Sequence, residues 1–144
     1  MDWIKCNKIR MVKEAKTDMH KIISIMEIAE KKIDSSNILP DAHYYSKITL
    51  LYDALREFLE CIALSKGYKI YNHECYTAFL KEILNESSLG DKFDKFRILR
   101  NGMNYYGKKI TQEEGTEVIK QMNEFIRTAK SLLTKLKNDI NNKT

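Results

Sequence analysis

Apolar residues recur along most of the chain at steps of three and four, with polar residues between them. This spacing places the apolar side chains on one face of a helix, so it predicts amphipathic helices rather than strands. The first such stretch predicts a helix over about Lys8–Asp34. Its apolar face consists of Ile9, Val12, Ala15, Met19, Ile22, Ile23, Met26, Ala29 and Ile33. Pro40 lies beyond its end, where proline prevents the helix from continuing.

Four further helices are predicted from the same pattern and from capping residues. The second covers about Ala42–Lys66, with Asp41 as its N-cap and Gly67 directly after its end. The others cover about His73–Asn85 (with Asn72 as its cap), Asp91–Tyr105 and Gln112–Asp139. Thr111 and Glu114 have the spacing of a capping box, which favours a helix start at Gln112.

Five helices with short connections predict an all-α fold, an up-and-down antiparallel bundle. The chain is read as a single domain over residues 1–144, with its core at about 8–138. Only five glycines and one proline occur, which argues against a turn-rich β fold. The first, second and last predicted helices each carry a wide apolar face. A surplus apolar face is commonly covered by a second chain, so we expect a homodimer.

Composition also bears on where the protein works. No apolar stretch approaches the roughly 20 residues that a membrane span needs, so no membrane association is predicted. No apolar segment typical of a secretory signal follows Met1–Lys5, and a cytoplasmic location is therefore expected. The three cysteines, Cys6, Cys61 and Cys75, are widely spaced and contain no CxxC pair. Reduced thiols are therefore predicted, and no metal or other cofactor is expected.

Positive charge is concentrated in one segment. The formal net charge is +5, and residues 91–110 alone carry six basic and two acidic side chains. This concentration suggests an anionic partner such as phosphate or RNA. Charge alone is more often explained by a solvated basic face without a ligand.

The same segment contains the candidate site. Arg97, Arg100 and Asn104 are spaced by three and four residues, so they share one side of the fourth predicted helix, beside its apolar stripe. An arginine at the edge of a core usually has a carboxylate or phosphate partner. Glu57 or Glu60 is a candidate carboxylate for Arg100, and an exposed charge pattern on that helix fits equally well. The other polar candidates nearby are Asn101, Tyr105, Tyr106, Lys108 and Lys109.

Arg100–Asn101, near the end of the penultimate helix, resembles the start of the motif of the HEPN family (higher eukaryote and prokaryote nucleotide-binding domains). In that motif an arginine, commonly followed by a polar residue, precedes a histidine by a few positions. The order of elements is also similar, including the SKGYKIYNHE segment at 65–74. The similarity covers about Lys8–Leu136. It is greatest to an archaeal-type group in which a YYG sequence, here residues 105–107, follows the arginine motif.

The resemblance implies a function and partners. In HEPN ribonucleases, motifs of two protomers meet and act on an RNA phosphodiester by attack of the 2′-hydroxyl, without a metal. By this resemblance Arg100, Asn101, Tyr105 and Tyr106 would form the catalytic set. Residues 104–107 read Asn, Tyr, Tyr and Gly, so the motif histidine is absent and no base is identified. Some HEPN proteins pair with a minimal nucleotidyltransferase in toxin–antitoxin or defence systems, and a tyrosine near the motif then accepts adenylate.

Three hypotheses follow. The first is an RNA- or nucleotide-binding HEPN domain, with Arg97, Asn104, Lys108 and Lys109 as further binding residues. The second is a metal-free endoribonuclease. The third is a dimeric scaffold in which Arg100 only braces an interface. His73, which begins the third predicted helix beside its cap, is interpreted as a structural residue because no second histidine or CxxC pair accompanies it.

Overall fold

The chain is mainly helical, as its sequence predicts. The computed structural model describes residues 1–142, which contain six α-helices and one two-stranded sheet. In chain order the elements are α1 (Trp3–Lys8), β1 (Val12–Glu14), α2 (Met19–Ile38), α3 (Tyr44–Ser65), β2 (Tyr68–Ile70), α4 (His73–Ala78), α5 (Ser87–Tyr105) and α6 (Gln112–Asn142). A π-helical turn, Phe79–Ile83, continues α4. The predicted mostly α-helical fold is confirmed, and no helix in this part of the chain is apolar over a membrane-spanning length.

Helix α3 is the centre of the bundle, with α2 and α6 packed along it. Most of its side chains are buried, whereas its neighbours bury only one stripe each. The buried residues of α3 include Ile48, Leu51, Tyr52, Leu55, Phe58, Leu59 and Ile62. The α5 helix adds Phe93 and Phe96, which bring its polar neighbours close to α3. Burial of each such side chain stabilises the fold by roughly 1.5–3 kcal/mol before entropy losses are counted.

The predicted first helix over Lys8–Asp34 is wrong in its first half. Helix α1 ends at Lys8, Arg10 has a left-handed φ of 60°, and the chain continues as strand β1. This strand pairs antiparallel with β2, so that Val12 lies opposite Ile70. Helix α2 starts only after Asp18, whose carboxylate accepts hydrogen bonds from two backbone N–H groups. The helical spacing over 9–19 is thus coincidental, because a pairing with residues far along the chain fixes a strand.

Local capping signals were mostly predictive. Asn72 accepts a hydrogen bond from the Glu74 N–H at 2.8 Å and caps α4. The capping box is present, since the backbone N–H of each of Thr111 and Glu114 donates to the other's side chain, at 3.2 and 3.1 Å. Gly67 has a φ of 89°, as a glycine after a helix end requires.

Two predicted helix starts are wrong. Asp41 does not cap α3, because a 3₁₀ turn over Asp41–His43 precedes that helix and the Asp41 carboxylate pairs with Lys47. Helix α5 begins at Ser87 instead of Asp91 and so includes Gly90. A Cβ at Gly90 would lie 2.6 Å from the Lys81 side chain, so the glycine permits the close approach of α5 to the turn after α4.

The prediction of three reduced cysteines is wrong for two of them. Cys6 of α1 and Cys75 of α4 form a disulfide, with their Cα atoms 5.9 Å apart. Cys61 is free and buried in α3. Spacing along the sequence gave no sign of the bond, because it depends on the fold placing α1 beside α4. Disulfides are uncommon in cytosolic proteins, and the cytoplasmic location stays a prediction.

Candidate functional site

Arg100 lies on α5 where that helix passes α3, with its guanidinium against aromatic rings. The Cζ atom is 5.2 Å from the centre of the Tyr52 ring and 5.6 Å from that of Tyr105. Tyr52 is completely buried, whereas Tyr105 is 67% exposed. The guanidinium therefore lies between a core ring and a surface ring, at the boundary between the bundle and solvent.

The hydrogen bonds of this guanidinium are incomplete. Its Nη1 atom donates only long bonds of 3.4 Å, to Asn101 Oδ1 and to Tyr105 Oη. Its Nε atom is buried and has no hydrogen-bond partner among the described residues. No carboxylate oxygen in residues 1–142 lies within the 4.0 Å of an ion pair with Arg100. Unmet donors at a partly buried position are costly, so the described residues leave part of the hydrogen-bonding capacity of this guanidinium unused.

The prediction that Glu57 or Glu60 pairs with Arg100 is wrong. The Glu57 carboxylate pairs with Lys32 of α2 at 2.8 Å, and Glu60 pairs with Lys69 of β2. Both acids therefore lie against other elements of the bundle and leave Arg100 unneutralised.

Arg97, one turn earlier on α5, has a different environment. Its Nη2 and Nε atoms donate to Asp94 Oδ1 at 2.8 and 3.2 Å, and Nη1 lies 3.8 Å from Glu74. Two carboxylates thus hold Arg97 in place and offset its charge. The sequence groups Arg97 with Arg100, but only Arg100 has an unmatched charge.

The most informative neighbour of Arg100 that the sequence did not indicate is the pair formed by Tyr52 and His73. Tyr52 Oη lies 2.9 Å from His73 Nδ1, which joins α3 to the first residue of α4. Burial, together with the charges of Arg56 and Arg100, lowers the pKa of His73 to about 4. Burial also raises the pKa of Tyr52 to about 12, although the arginines oppose this. At neutral pH both groups are uncharged, and the imidazole retains a basic nitrogen.

Arg56 of α3 is a second arginine that the sequence analysis did not assign to the site. Its charge is the largest electrostatic contribution to the lowered pKa of His73, ahead of Arg100 and Arg97. The charge of Asp53 acts in the opposite direction and raises the pKa of that imidazole. Arginines from two helices therefore make the region around His73 positive.

The remaining predicted residues lie farther out. Tyr106 is 84% exposed, and Asn104, Lys108 and Lys109 are also exposed. Asn104 lines a separate surface groove with Tyr45 and Thr49. The N–H of Lys108 donates to the Gly102 carbonyl at 2.9 Å and closes the end of α5. The structure thus brings together Arg100, Asn101 and Tyr105, holds Arg97 in ion pairs one turn earlier, and leaves the other four on the surrounding surface.

The site contains two chemical groups that bear on function, the unneutralised guanidinium of Arg100 and the neutral imidazole of His73. Within residues 1–142, no three His, Cys, Asp or Glu side chains are grouped so as to hold a metal ion. No protein-family model matches the chain, and no curated protein matches it either.

Proposed function

We propose that this protein binds a phosphate group of RNA or of a nucleotide at Arg100, as a HEPN-type domain. The observation that carries the proposal is the state of the Arg100 guanidinium, which is held between two tyrosine rings with no carboxylate of residues 1–142 within ion-pair distance. Phosphate oxygens fit a guanidinium in two-pronged hydrogen bonds, which are stronger than bonds between neutral groups. A bound phosphate would also offset the charge of Arg56, which has no ion-pair partner in residues 1–142.

The exposed ring of Tyr105 favours a nucleotide or nucleic acid over a free inorganic anion. Its hydroxyl lies 3.4 Å from Arg100 Nη1, so a base stacked on the ring would belong to a nucleotide whose phosphate reaches the guanidinium. Stacking of a base on an aromatic side chain contributes about 1–3 kcal/mol. Lys108 and Lys109, both exposed, would extend the positive surface along a bound RNA strand.

Binding to a labelled RNA strand of about ten nucleotides tests this function. The Arg100→Gln variant should bind about tenfold or more weakly in fluorescence anisotropy, with a smaller dependence on salt, because one phosphate contact is lost. Lys95→Gln is the matched control, since Lys95 is an exposed residue of the same helix and loses the same charge. AMP and ATP are added as competitors, because they should displace the labelled RNA from a nucleotide site but not from a site that requires an RNA strand. Equal affinities of the two variants, or no binding of either ligand class, would contradict the proposal.

We also propose that the protein is the HEPN member of a toxin–antitoxin or defence pair, as a homodimer with a minimal nucleotidyltransferase as partner. The support is the exposure of two phenols, Tyr105 at 67% and Tyr106 at 84%, either of which an enzyme could reach. Ile98, 57% exposed on the same helix, supports a contact with a second copy. On coexpression with such a partner, the peptide over 101–108 should gain one adenylate by mass spectrometry. An unmodified peptide would argue against the pairing.

A further inference from the structure

A cleft of about 740 Å³ lies between α1, α4 and α5, beside the disulfide that joins Cys6 to Cys75. We propose that this disulfide is a redox-active site, which a small thiol reaches through the cleft, and that its reduction releases α1 and weakens anion binding at Arg100. The effect on Arg100 rests on the proposed function, whereas the reactivity of the bond does not. In the cytoplasm, where the sequence predicts the protein to work, disulfides are usually transient or redox-sensing.

The side chain of Met1 links the cleft to the disulfide. Its Sδ atom lies 3.7 Å from Cys75 Sγ, and Met1 also lines the cleft and is 53% exposed. Both disulfide cysteines are fully buried, so a thiol reaches the bond only when a covering side chain moves. Methionine is unbranched and flexible, so a rotation of the Met1 side chain uncovers Cys75 Sγ while the bundle stays folded.

Few other contacts hold α1 in place. Cys6 is the one fully buried residue of this helix. Trp3 packs against Tyr68 and Phe79, with ring centres 5.3 and 5.7 Å apart, and its backbone N–H donates to the Glu82 carboxylate at 2.7 Å. An element held by so few buried groups opens locally at a lower free energy than the bundle as a whole. The disulfide is therefore the main restraint on α1, and its reduction releases the helix.

The first turn of α4 connects the disulfide to the arginine site. Cys75 lies in that turn, two residues after His73. The Nδ1 atom of His73 is 2.9 Å from the Tyr52 hydroxyl, and the centre of the Tyr52 ring is 5.2 Å from Arg100 Cζ. The position of this turn therefore affects the ring on which the guanidinium lies.

Glu74 provides a second connection, directly to α5. It precedes Cys75 in the chain, and its carboxylate lies 3.8 Å from Arg97 Nη1. Arg97 is one turn before Arg100 on the same helix. When α1 no longer restrains the start of α4, contacts on two sides of Arg100 loosen, and we expect the anion site to lose part of its fixed geometry.

The exchange balances with a dithiol as the reductant. One thiolate of the dithiol attacks Cys75 Sγ, the bond between the two cysteines breaks, and Cys6 leaves as a thiolate that takes up a proton. The second thiolate attacks the mixed disulfide, so that Cys75 also leaves and is protonated. The two electrons and two protons come from the dithiol, which becomes a disulfide. Cys61 takes no part, because it lies in α3, where its thiol donates to the Ile22 carbonyl at 3.5 Å.

The rate of disulfide reduction in the folded protein tests access through the cleft. Protein is treated with dithiothreitol, alkylated at intervals and analysed by mass spectrometry, with the same protein in urea as the reference for full access. The bond in the folded protein should be reduced within about a hundredfold of the rate in urea, because only a local movement is needed. Slower reduction would mean that the bond becomes accessible only on global unfolding, and the redox-active site would be refuted.

Trp3 reports the release of α1, because it is the only tryptophan in the chain. On reduction its fluorescence should shift to longer wavelength and be quenched more strongly by acrylamide, while the far-UV circular dichroism changes little. Cys61→Ser is the matched control, since it removes the free thiol and should respond to reductant as wild type does. Cys6→Ser should show the released spectrum with and without reductant. An emission of Trp3 that is unchanged by reduction would overturn the release of α1.

Binding of the labelled RNA, measured by anisotropy with and without dithiothreitol, tests the effect on Arg100. Reduced wild type should bind about fivefold or more weakly than oxidised wild type, and Cys6→Ser should bind as weakly in both conditions. Equal affinities in the two redox states would refute the effect on Arg100 and leave the redox-active bond in place. If neither state binds RNA or nucleotides, the proposed function falls together with this effect. The reduction rate and the Trp3 emission then still decide whether the disulfide is redox-active.

Discussion

Two arginines one turn apart show that the function of a charged residue depends on its partners. Arg97 is held by Asp94 and Glu74, while among residues 1–142 Arg100 lies against two tyrosine rings and donates hydrogen bonds to an amide and a phenol. Their sequence contexts do not distinguish them, because both follow the same helical spacing. The contrast appears only when each guanidinium is followed to the atoms it touches, and it is the reason why Arg100 is the proposed anion site.

His73 gives a prediction about stability and pH. Its pKa is about 4 in the folded protein, below the 6.5 of an unperturbed histidine. Between these values the unfolded chain binds a proton that the folded chain does not, so the free energy of unfolding falls as pH is lowered. We expect a loss of roughly 0.5–1 kcal/mol between pH 6.5 and 5.5, allowing for partial exposure of the ring.

Urea denaturation at the two pH values measures this loss. In the His73→Asn variant the dependence on pH should be weaker by that amount, since the titrating group is gone. A variant that loses stability with acid as steeply as wild type would show that His73 is not the responsible group.

At the scale of elements, helix α1 is joined to the bundle through buried residues of the core, including Cys6, Cys75 and Phe79. The disulfide joins it to α4 across a sequence separation of 69 residues. Trp3 also packs against Tyr68 and Phe79, with ring centres 5.3 and 5.7 Å apart. These contacts position the start of α4, which carries His73 two residues before Cys75.

Breaking this bond should destabilise the protein measurably. Cys6→Ser should lower the free energy of unfolding by about 2–4 kcal/mol, because the bond restricts a long loop of the unfolded chain. In urea denaturation, adding a reducing agent to wild type should lower its free energy of unfolding by the same amount. The free energy of unfolding of Cys6→Ser should be the same with and without reductant. A wild-type stability that is unchanged by reduction would mean that the bond adds nothing.

Elements defined by local signals could be predicted, and those defined by distant contacts could not. Asn72, Thr111 and Gly67 act within a few residues, so capping rules identified them. Strand β1 depends on β2, more than fifty residues later, and its residues happen to match helical spacing. A periodic pattern cannot reveal such pairing, because it describes only neighbours along the chain.

For the molecule as a whole, the sequence predicted the helical bundle and one of the two main groups of the site. Arg100 stood out because it lies at the edge of an apolar stripe. His73 did not, because its partner Tyr52 lies 21 residues earlier, on a different helix. The sequence assigned no role to Arg56, and only the packing of α3 against α4 and α5 places it near the imidazole. Site residues contributed by several helices need the tertiary fold to be recognised together.

The central claim is that the Arg100 guanidinium is the anion-binding group, and the NMR signal of its Nε–H reports on this most directly. In isotope-labelled protein, with the signal assigned by its loss in Arg100→Lys, titration with the short RNA should shift it in a saturable way. The midpoint should match the affinity from anisotropy. An Arg100 signal that stays unchanged while the RNA binds would contradict the account and place the ligand elsewhere.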